Sequence, residues 1–242
     1  MTSVVIGDSV VSIGDHTFEY CDALTEVAII GNGAASIGDY AFSYCFSLAS
    51  VTIGNGVTYI GEKAFQKCEL KSIKIGENVK KIGKYAFWDS AGNCSVFISN
   101  LSSWCNINFE NEYSNPIFWF GYKLYLNEKE VTEVVIPKEQ TKIKKFTFIN
   151  CESLKKVVIH KDVVEIDEGA FNGCDALVEC YCYAKTPPRL SNFYGSGSII
   201  FYNRYPFTGI NKESILYVPS RCGAEYKSSN WGEDFKNIKE MD

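Results

Sequence analysis

A phrase that recurs along the chain constrains the fold more than any other feature. With small variations it runs Ile-Gly-x-x-Ala/Thr-Phe-x-x-Cys and continues into Leu-x-x-Val-x-Ile. Full copies start at Ile13, Ile37, Ile60, Ile143 and Ile166, and a copy that lacks the Cys starts at Ile82. The four starts from 13 to 82 are 24, 23 and 22 residues apart, and the last two starts are 23 residues apart. A fixed period of this length predicts coils that stack into a solenoid.

The second copy shows what each position of a coil is expected to do. Residues 48–53 alternate between apolar and polar side chains, which is typical of a strand with one buried face. Val51 is therefore expected to point into the core, whereas Ser50 and Thr52 point outward. A glycine turn follows at 54–56, and the Ala-Phe pair of the next copy is expected on a short turn or a single helical coil.

The repeated Phe is expected to form a buried column. Stacked coils bring each Phe onto the Phe of the next coil, and truncation of a buried Phe to Ala costs about 3–5 kcal/mol. An aromatic stripe is also typical of a ligand platform, but the Ala and Ile at fixed offsets favour the core. The predicted column consists of Phe18, Phe42, Phe65, Phe87, Phe148 and Phe171.

The repeated Cys is expected to be a buried structural thiol. It sits three residues after the Phe, at a bend where an S–H group can donate to a buried backbone carbonyl. Disulfides between coils and metal binding stay open as alternatives, although parallel Cβ vectors disfavour disulfides and no CxxC pair is present. The five thiols are those of Cys21, Cys45, Cys68, Cys151 and Cys174. Ten unpaired Cys would fit a reducing or oxygen-poor setting.

Composition and charge exclude several classes of function. A net charge of −5 disfavours a dedicated nucleic-acid binder, and no apolar run approaches the ~20 residues that a transmembrane helix needs. Charge is uneven, because residues 1–62 contain no Lys or Arg, whereas residues 138–161 contain seven Lys and two Glu. This asymmetry indicates either a solvated face on each coil or a gradient that orients a charged partner.

Neither catalytic nor cofactor chemistry is expected. The two His residues, His16 and His160, lie far apart in sequence, and the chain contains no HExxH, G-x-S-x-G or Walker phrase. We therefore predict no catalytic residue, no cofactor and no metal ligand.

The repeats resemble the BspA-like leucine-rich repeat family of bacterial surface proteins. The family signature V-x-I-P-x-x-V-x-x-I-G-x-x-A-F-x-x-C-x-x-L is matched by residues 51–70 and 157–177. The resemblance implies a right-handed leucine-rich repeat solenoid, mainly β or α/β, with one short strand per ~23-residue repeat. These strands would form a concave parallel sheet, with turns or short helices on the convex side. It also implies a cell-surface or secreted location and protein partners such as host matrix or cell-surface proteins.

The expected organisation is one solenoid domain over 1–242. It comprises N-terminal repeats at 1–100, a diverged insertion at 101–130, further repeats at 131–188, and an irregular loop with a C-terminal cap at 189–242. The insertion is expected to hold helical stretches at 102–107 and 114–121 and a hairpin at 123–131. Its aromatic side chains predict a satellite core or, alternatively, a protruding ligand pocket. In the cap we expect a last strand at 217–219, a short helix at 223–228, and an end sealed by Tyr226, Trp231, Phe235 and Ile238.

Two functions are compatible with this organisation. The first is a non-enzymatic binding or adhesion module that uses outward side chains of the concave sheet. The second is a structural spacer within a larger surface protein. The candidate ligand-binding residues of the concave face are Glu26, Thr52, Lys74, Glu133, Lys156, Glu179 and Tyr181. A second candidate surface is the aromatic loop within 187–209, with Phe193, Tyr194, Tyr202, Arg204 and Tyr205 as candidate residues. Phe201 and Phe207 are grouped with this surface because of their aromatic rings.

The first residues align with the interior of a repeat. Val4 and Ile6 match Val27 and Ile29 of the next coil. We expect either a removed leader, earlier repeats or a missing cap, and an uncapped strand edge that pairs weakly with a second copy of the chain. No nucleic-acid partner and no membrane insertion are expected.

Overall fold

The computed structural model of the chain describes residues 1–29, 33, 35–90, 93–119, 121–191 and 205–242. Within these residues the chain divides into two compact units, Met1–Glu130 and Val131–Asp242. The boundary between the units coincides with the end of the predicted insertion.

Unit 1 is built around a sheet of long strands, one from each coil. The strands are β1 (Ser3–Ile6), β3 (Glu26–Ile29), β5 (Ser50–Ile53), β7 (Ser72–Lys74), β9 (Ser95–Ile98) and β11 (Lys123–Leu126). They lie in this order and are parallel, and β12 (Lys129–Glu130) closes the sheet by an antiparallel hairpin with β11. The strands alternate buried and outward residues, as in β5, where Val51 and Ile53 are buried.

Each coil of unit 1 contributes a second, shorter strand to a second parallel sheet. These strands are β2 (Ser12–Ile13), β4 (Ser36–Ile37), β6 (Tyr59–Ile60), β8 (Lys81–Ile82) and β10 (Asn108–Phe109). The structure thus adds one two-residue strand to the single strand that we predict for each repeat. Helix α1 (Leu101–Cys105) precedes β10, as predicted, and Asn100 caps it by accepting a hydrogen bond from the Ser103 amide.

The turn that carries the Phe is neither a helix nor a strand. In the first coil His16 and Tyr20 adopt φ of 56° and 57°, and the equivalent pair in the second coil, Tyr40 and Tyr44, adopts 56° and 59°. The positive φ of these residues directs alternate backbone amides of the turn toward the next coil. The Phe18 amide, for example, donates to the carbonyl of Ala41 in the next coil at 2.8 Å. Bonds between coils thus hold a backbone conformation that costs about 1–2 kcal/mol per non-glycine residue.

The predicted Phe column is confirmed within each unit. In unit 1, the rings of Phe18, Phe42, Phe65 and Phe87 are parallel, with neighbouring centroids 5.1, 5.3 and 5.5 Å apart. In unit 2 Phe148 and Phe171 are 5.4 Å apart. Phe207, which the repeated phrase does not reveal, extends this second column at 5.1 Å.

Unit 2 repeats the two-sheet arrangement and ends in a helical cap. The long strands are β13 (Glu133–Val135), β15 (Lys156–Ile159), β17 (Glu179–Cys182), β19 (Ile215–Val218) and β20 (Asn237–Glu240). The short strands are β14 (Lys142–Ile143), β16 (Glu165–Ile166) and β18 (Arg189–Leu190). All pairs in both sheets are parallel. The helices are α2 (Gly223–Ser228) and α3 (Trp231–Asp234).

The C-terminal residues close the core of unit 2. Tyr226, Trp231 and Phe235 are at most 1% exposed, as predicted for the cap, whereas the fourth predicted residue, Ile238, is only half-buried. Phe207 meets Trp231 and Phe235 at centroid distances of 5.2 and 5.0 Å, so these rings finish the aromatic column. Helix α2 spans the predicted residues. However, the strand predicted at 217–219 is not the last one, because β20 pairs alongside β19.

The segment 101–119 is part of the core of unit 1. Trp104, Phe109 and Ile117 are at most 1% exposed, and β10 pairs with β8, so the segment forms a coil with its own strand. The predicted helix at 114–121 is wrong for the residues described, since a 3₁₀ helix (Glu112–Ser114) precedes a turn there. Asn115 accounts for the difference, because its side chain accepts the Ile117 amide and favours a turn. Phe120 lies outside the described residues.

Strand β1 forms one edge of the long sheet of unit 1. Val5 on this strand is 68% exposed, and Val11 in the same coil is 74% exposed. The single domain over 1–242 and the pairing of two chains through this edge both stay predictions.

Candidate functional site

The outward face of the long sheet in unit 1 consists of two rows of side chains. Parallel pairing in register fixes the rows, because residues that point away from the core repeat at the same two positions of each strand. The first row contains Ser3, Glu26, Ser50, Ser72, Ser95 and Lys123, and the second contains Val5, Thr52, Lys74, Phe97 and Tyr125. Three predicted residues lie here: Glu26 and Lys74 are exposed, and Thr52 is half-buried.

The far end of this face is aromatic. Phe97 and Tyr125 stack with centroids 4.9 Å apart, and both rings are half-buried. Lys123 in the first row forms an ion pair with Glu130 at 3.1 Å, and hydrogen bonding to that carboxylate raises the pKa of the lysine. The face therefore changes along its length from small hydroxyl side chains to rings and a paired lysine.

The outward face of unit 2 has the same two rows with different chemistry. Its first row contains Glu133, Lys156, Glu179, Ile215 and Asn237, and its second row contains Val135, Val158, Tyr181, Tyr217 and Lys239. The four remaining predicted face residues lie here, and Glu133 is exposed, whereas Lys156, Glu179 and Tyr181 are half-buried. Val135, at the edge of the sheet, is 61% exposed.

Four side chains form a compact cluster on this face, which we call the tyrosine cluster: Lys156, Glu179, Tyr181 and Tyr217. The two rings stack at 4.4 Å with an interplanar angle of 9°, and the Lys156 ammonium lies 5.3 Å from the centre of the Tyr181 ring. The Tyr181 hydroxyl donates to Glu179 at 3.4 Å. Desolvation and, after it, the Glu179 carboxylate raise the pKa of Tyr181. The cluster therefore presents rings, one positive and one negative group in a fixed arrangement.

Of the four aromatic side chains on the described strands of these faces, sequence reasoning identified only Tyr181 and missed Phe97, Tyr125 and Tyr217. Phe97 occupies the same position as Lys74 in the next strand, but its coil lacks the Cys that marks the other copies. Tyr217 pairs with Tyr181 although 36 residues separate them, and the sequence between their strands does not follow the repeat. The strand alternation in Ser95–Ile98 and Ile215–Val218 was the available signal for both.

Of the predicted aromatic loop, only one candidate residue lies within the described part of the chain. Tyr205 is half-buried, whereas Phe193, Tyr194, Tyr202 and Arg204 lie outside the described residues. Phe207, which we grouped with this surface because of its aromatic ring, is 1% exposed and belongs to the core. The interpretation of the loop as a contact surface is therefore wrong for Phe207 and stays a prediction for the others.

Three of the five repeated thiols are buried and donate to carbonyls of the preceding coil, as predicted, whereas Cys21 is only half-buried. Cys45 donates to the Phe18 carbonyl at 3.0 Å, Cys68 to Phe42 at 3.1 Å, and Cys174 to Phe148 at 3.2 Å. All ten Cys are thiols that form no disulfide, and burial raises the pKa of Cys45 to about 11. Thiols this weakly acidic are poor nucleophiles at neutral pH. Within the described residues no group of three or more His, Cys, Asp or Glu side chains has a metal-binding arrangement.

Comparison with known families matches these coils to one family model. The BspA-type leucine-rich repeat region matches in six copies, over residues 1–116 and 119–199. The chain belongs to this family. In this protein the BspA-type repeats therefore contribute buried columns of Phe and Cys side chains and strands that pair from coil to coil. A comparison with curated proteins gives no match to this sequence.

Several solved structures of bacterial leucine-rich repeat proteins are similar to this chain. A leucine-rich repeat protein of T. pallidum is 22% identical, with a TM-score of 0.39, over 78% of this chain and 72% of that one. A leucine-rich cell surface protein of Faecalibacterium prausnitzii is 18% identical, with a TM-score of 0.35, over 100% of this chain and 79% of that one. The pneumococcal vaccine antigen PcpA is 15% identical, with a TM-score of 0.31, over the same shares.

Membrane contact through a spanning helix has no support in the described residues. None of their helices combines the length and the apolar character that crossing a bilayer requires.

Proposed function

We propose that this chain is a non-enzymatic protein-binding module whose main contact surface is the outward face of the long sheet. The observation that carries the proposal is the tyrosine cluster of unit 2. Tyr is enriched in protein interfaces because it offers a large apolar ring with a polar tip and loses little conformational entropy on binding. Stacking at 4.4 Å already fixes the Tyr181 and Tyr217 rings, which lowers that loss further.

Charge on the same face supports a protein partner over an apolar ligand. Lys156 and Glu179 flank the rings, and Glu133 continues the row at the edge of the sheet. Opposite charges beside an aromatic centre match the anatomy of a protein interface, in which a polar rim surrounds apolar anchors. The partners that we propose are host matrix or cell-surface proteins, to which the chain would adhere. The reason for proposing them is that the chain belongs to the BspA-type family.

The face of unit 1 is proposed as a weaker extension of this surface. Glu26 and Lys74 are exposed there, and small hydroxyl side chains such as Ser50 and Thr52 separate them. Small polar side chains offer little area, so we expect less binding energy per residue than at the tyrosine cluster. A secreted or cell-surface location is part of the same proposal and follows from the family alone.

The test measures binding to a panel of purified extracellular-matrix proteins by surface plasmon resonance. Tyr181→Ala combined with Tyr217→Ala should weaken binding at least 30-fold, because truncation of one anchor at an interface centre costs about 2 kcal/mol or more. Lys74→Glu combined with Lys156→Glu should weaken it by about threefold to tenfold. Lys80→Glu with Lys212→Glu is the matched control, since both lysines are exposed and lie off the outward faces.

Unchanged binding by the double tyrosine variant, with circular dichroism showing an intact fold, would remove the outward face from consideration. Absence of binding to every protein of the panel would favour the spacer function, in which the repeats only separate other domains.

A further inference from the structure

Unit 2 contains a cavity beside the carboxyl ends of β15 and β17. It has a volume of about 420 Å³ and lies between the connection that follows β15 and the connection that follows β17. Lys161, Val163 and Val164 line one side, and Tyr183, Lys185 and Pro188 are among the residues of the other. This volume falls in the lower part of the range of about 300–1,000 Å³ that is typical of ligand sites.

Apolar groups dominate the lining. Val163 is buried, with 1% exposure, whereas Val164 and Tyr183 are 65% and 47% exposed. An exposed valine and an exposed tyrosine beside a depression are costly to leave in water, since burial of apolar area contributes about 25 cal/mol per Å². The walls therefore fit an apolar side chain of a ligand.

Two lysines give the cavity its charge. Lys161 and Lys185 are both exposed, and no acidic side chain of the described residues lies within ion-pair distance of either ammonium. Elsewhere in unit 2 a lysine such as Lys142 has acidic partners, Glu165 at 3.2 Å and Asp167 at 2.9 Å. The positive charge at the cavity is thus available for a ligand.

The walls of the cavity are held in place from beneath. The Tyr226 hydroxyl donates to the Ala184 carbonyl at 2.8 Å, and the Trp231 indole donates to the Pro188 carbonyl at 2.8 Å. The Val164 carbonyl accepts the Arg189 amide at 2.9 Å, which ties the two connections together. A preformed site loses little entropy on binding, so even a small ligand can gain measurable affinity.

We propose that this cavity binds an acidic peptide segment in which carboxylates flank one large apolar side chain. The apolar side chain would enter between Val164 and Tyr183, and the carboxylates would pair with Lys161 and Lys185. The proposal rests on the protein-binding function proposed above but assigns it a second surface and a partner chemistry. Six apolar lining residues against two lysines disfavour heavily sulfated glycans, which stay hydrated and demand denser positive charge.

The experiment uses the full chain and a fluorescein-labelled peptide with the core Glu-Phe-Glu. Fluorescence anisotropy at 50 and 300 mM NaCl gives its Kd, which should increase with salt because the ion pairs are solvent-exposed. Peptides with Ser in place of Phe, or Gln in place of Glu, should each bind at least threefold more weakly. Heparin oligosaccharide is included as a separate competitor.

Charge reversal provides the decisive variant. Lys161→Glu with Lys185→Glu should weaken peptide binding at least tenfold, and Tyr183→Ser should weaken it at least threefold. Lys71→Glu with Lys80→Glu makes the same change of charge on exposed lysines of unit 1 and should leave the Kd unchanged. If the double Glu variant does not fold, Lys161→Gln with Lys185→Gln replaces it, with an expected threefold loss.

Three results would overturn the proposal: no binding of the parent peptide, equal binding by the Lys161/Lys185 variants, or binding of heparin without binding of the peptide. None of these touches the proposed function, because the tyrosine cluster is tested separately. Matrix-protein binding that depends on Tyr181 and Tyr217 but not on Lys161 would keep the outward face while rejecting the cavity.

Discussion

The two units have the same kind of interior, each with its own Phe column, and differ on their surfaces. In unit 1 the two left-handed positions of the turn carry His16, Tyr40, Lys63 and Tyr85 in one file and Tyr20, Tyr44, Lys67 and Asp89 in the other. In unit 2 the equivalent files are Phe146 with Gly169, and Asn150 with Gly173. Both sets have positive φ, so the backbone path is kept while the side chains change completely.

Unit 1 stabilises its strained turns with side-chain contacts. His16 stacks on Tyr40 and Tyr20 on Tyr44, each with centroids 4.9 Å apart, and the Lys63 ammonium lies 4.9 Å from the Tyr40 ring. Unit 2 has fewer strained positions, because Gly169 and Gly173 adopt positive φ at little cost, whereas Phe146 and Asn150 adopt it as non-glycine residues. The backbone path of the turn therefore depends on hydrogen bonds between coils and on the Phe column. The side chains at its left-handed positions can differ between the units without changing that path.

The first prediction tests the Phe column of each unit and has the largest effect. Phe65→Ala in unit 1 and Phe171→Ala in unit 2 should each lower the free energy of unfolding by about 3–5 kcal/mol in urea titrations. Both side chains are fully buried within a stacked column. Phe46→Ala is the matched control, since this ring is 47% exposed and its loss should cost less than about 1 kcal/mol. Equal effects of Phe65→Ala and Phe46→Ala would contradict a column that carries the core.

The second prediction concerns the pH dependence of the stability of unit 2. Asp234 in the cap of unit 2 has a buried Oδ2 without a hydrogen-bond partner among the described residues, and burial, followed by Glu233, raises its pKa to about 6. The native state therefore holds this proton more tightly than the unfolded chain, so stability falls as pH rises from about 4 to 6. Asp234→Asn should stabilise unit 2 by about 1–3 kcal/mol at pH 7 and by much less at pH 4.

The measurement compares the thermal unfolding of the parent protein with that of the Asp234→Asn variant between pH 4 and 7. Glu233→Gln serves as control, because Glu233 is exposed, so its variant should show a smaller change than Asp234→Asn. A constant difference between Asp234→Asn and the parent at all pH values would show that ionisation of Asp234 is not the cause.

The third prediction concerns the donor to the Phe carbonyl, which is a thiol in some coils and a hydroxyl in another. Ser90 donates to the Phe65 carbonyl at 3.2 Å, in the place that Cys68 takes one coil earlier. Cys68→Ala should cost about 1–2 kcal/mol through the lost donor and the small cavity, whereas Ser90→Cys should stay within about 1 kcal/mol of the parent. A Cys68→Ala variant as stable as the parent in urea would remove the carbonyl bond from the account.

The fourth prediction tests glycine and aromatic side chains at the left-handed positions of the turn, and it has the smallest effect. Gly173→Ala should cost about 1–2 kcal/mol, because φ is +73° and the new Cβ would meet the Asn150 side chain. Tyr44→Gly should be more stable than Tyr44→Ala in thermal unfolding, since both lose the stacked ring but only glycine relieves the left-handed strain. The reverse order would mean that these turns are not strained.

Much of the fold followed from short-range repetition. The Phe and Cys columns, the outward positions of the long strands, α1 and α2 could be predicted because each is encoded within one repeat or one local turn pattern. The two-residue strands could not, since pairs such as Ser36–Ile37 are too short to show alternation and form only against the neighbouring coil. Phe207 was missed because its turn contains Pro206 instead of Ala and lacks the Ile-Gly opening.

The candidate site was predictable in position but not in chemistry. Strand alternation identified Lys156, Glu179 and Tyr181 as outward residues, and the register confirms that they are neighbours. The stack with Tyr217 depends on β17 pairing with β19 across an irregular coil, which no local pattern encodes. The cavity beside Lys161 depends on Tyr226 and Trp231, whose hydrogen bonds shape its wall from 42 or more residues away.

The most direct test of the account asks which surface touches a bound protein. A photo-crosslinking amino acid is placed at Thr52 or Tyr181 on the outward faces and, as aromatic-turn and helix controls, at Tyr20 or Lys227. Each variant is illuminated with the matrix protein that binds best in the panel, and the yield of crosslinked complex is quantified. The account predicts the highest yield from Tyr181, a lower yield from Thr52 and background from both controls. Crosslinking from Tyr20 or Lys227 with background at Tyr181 would contradict it.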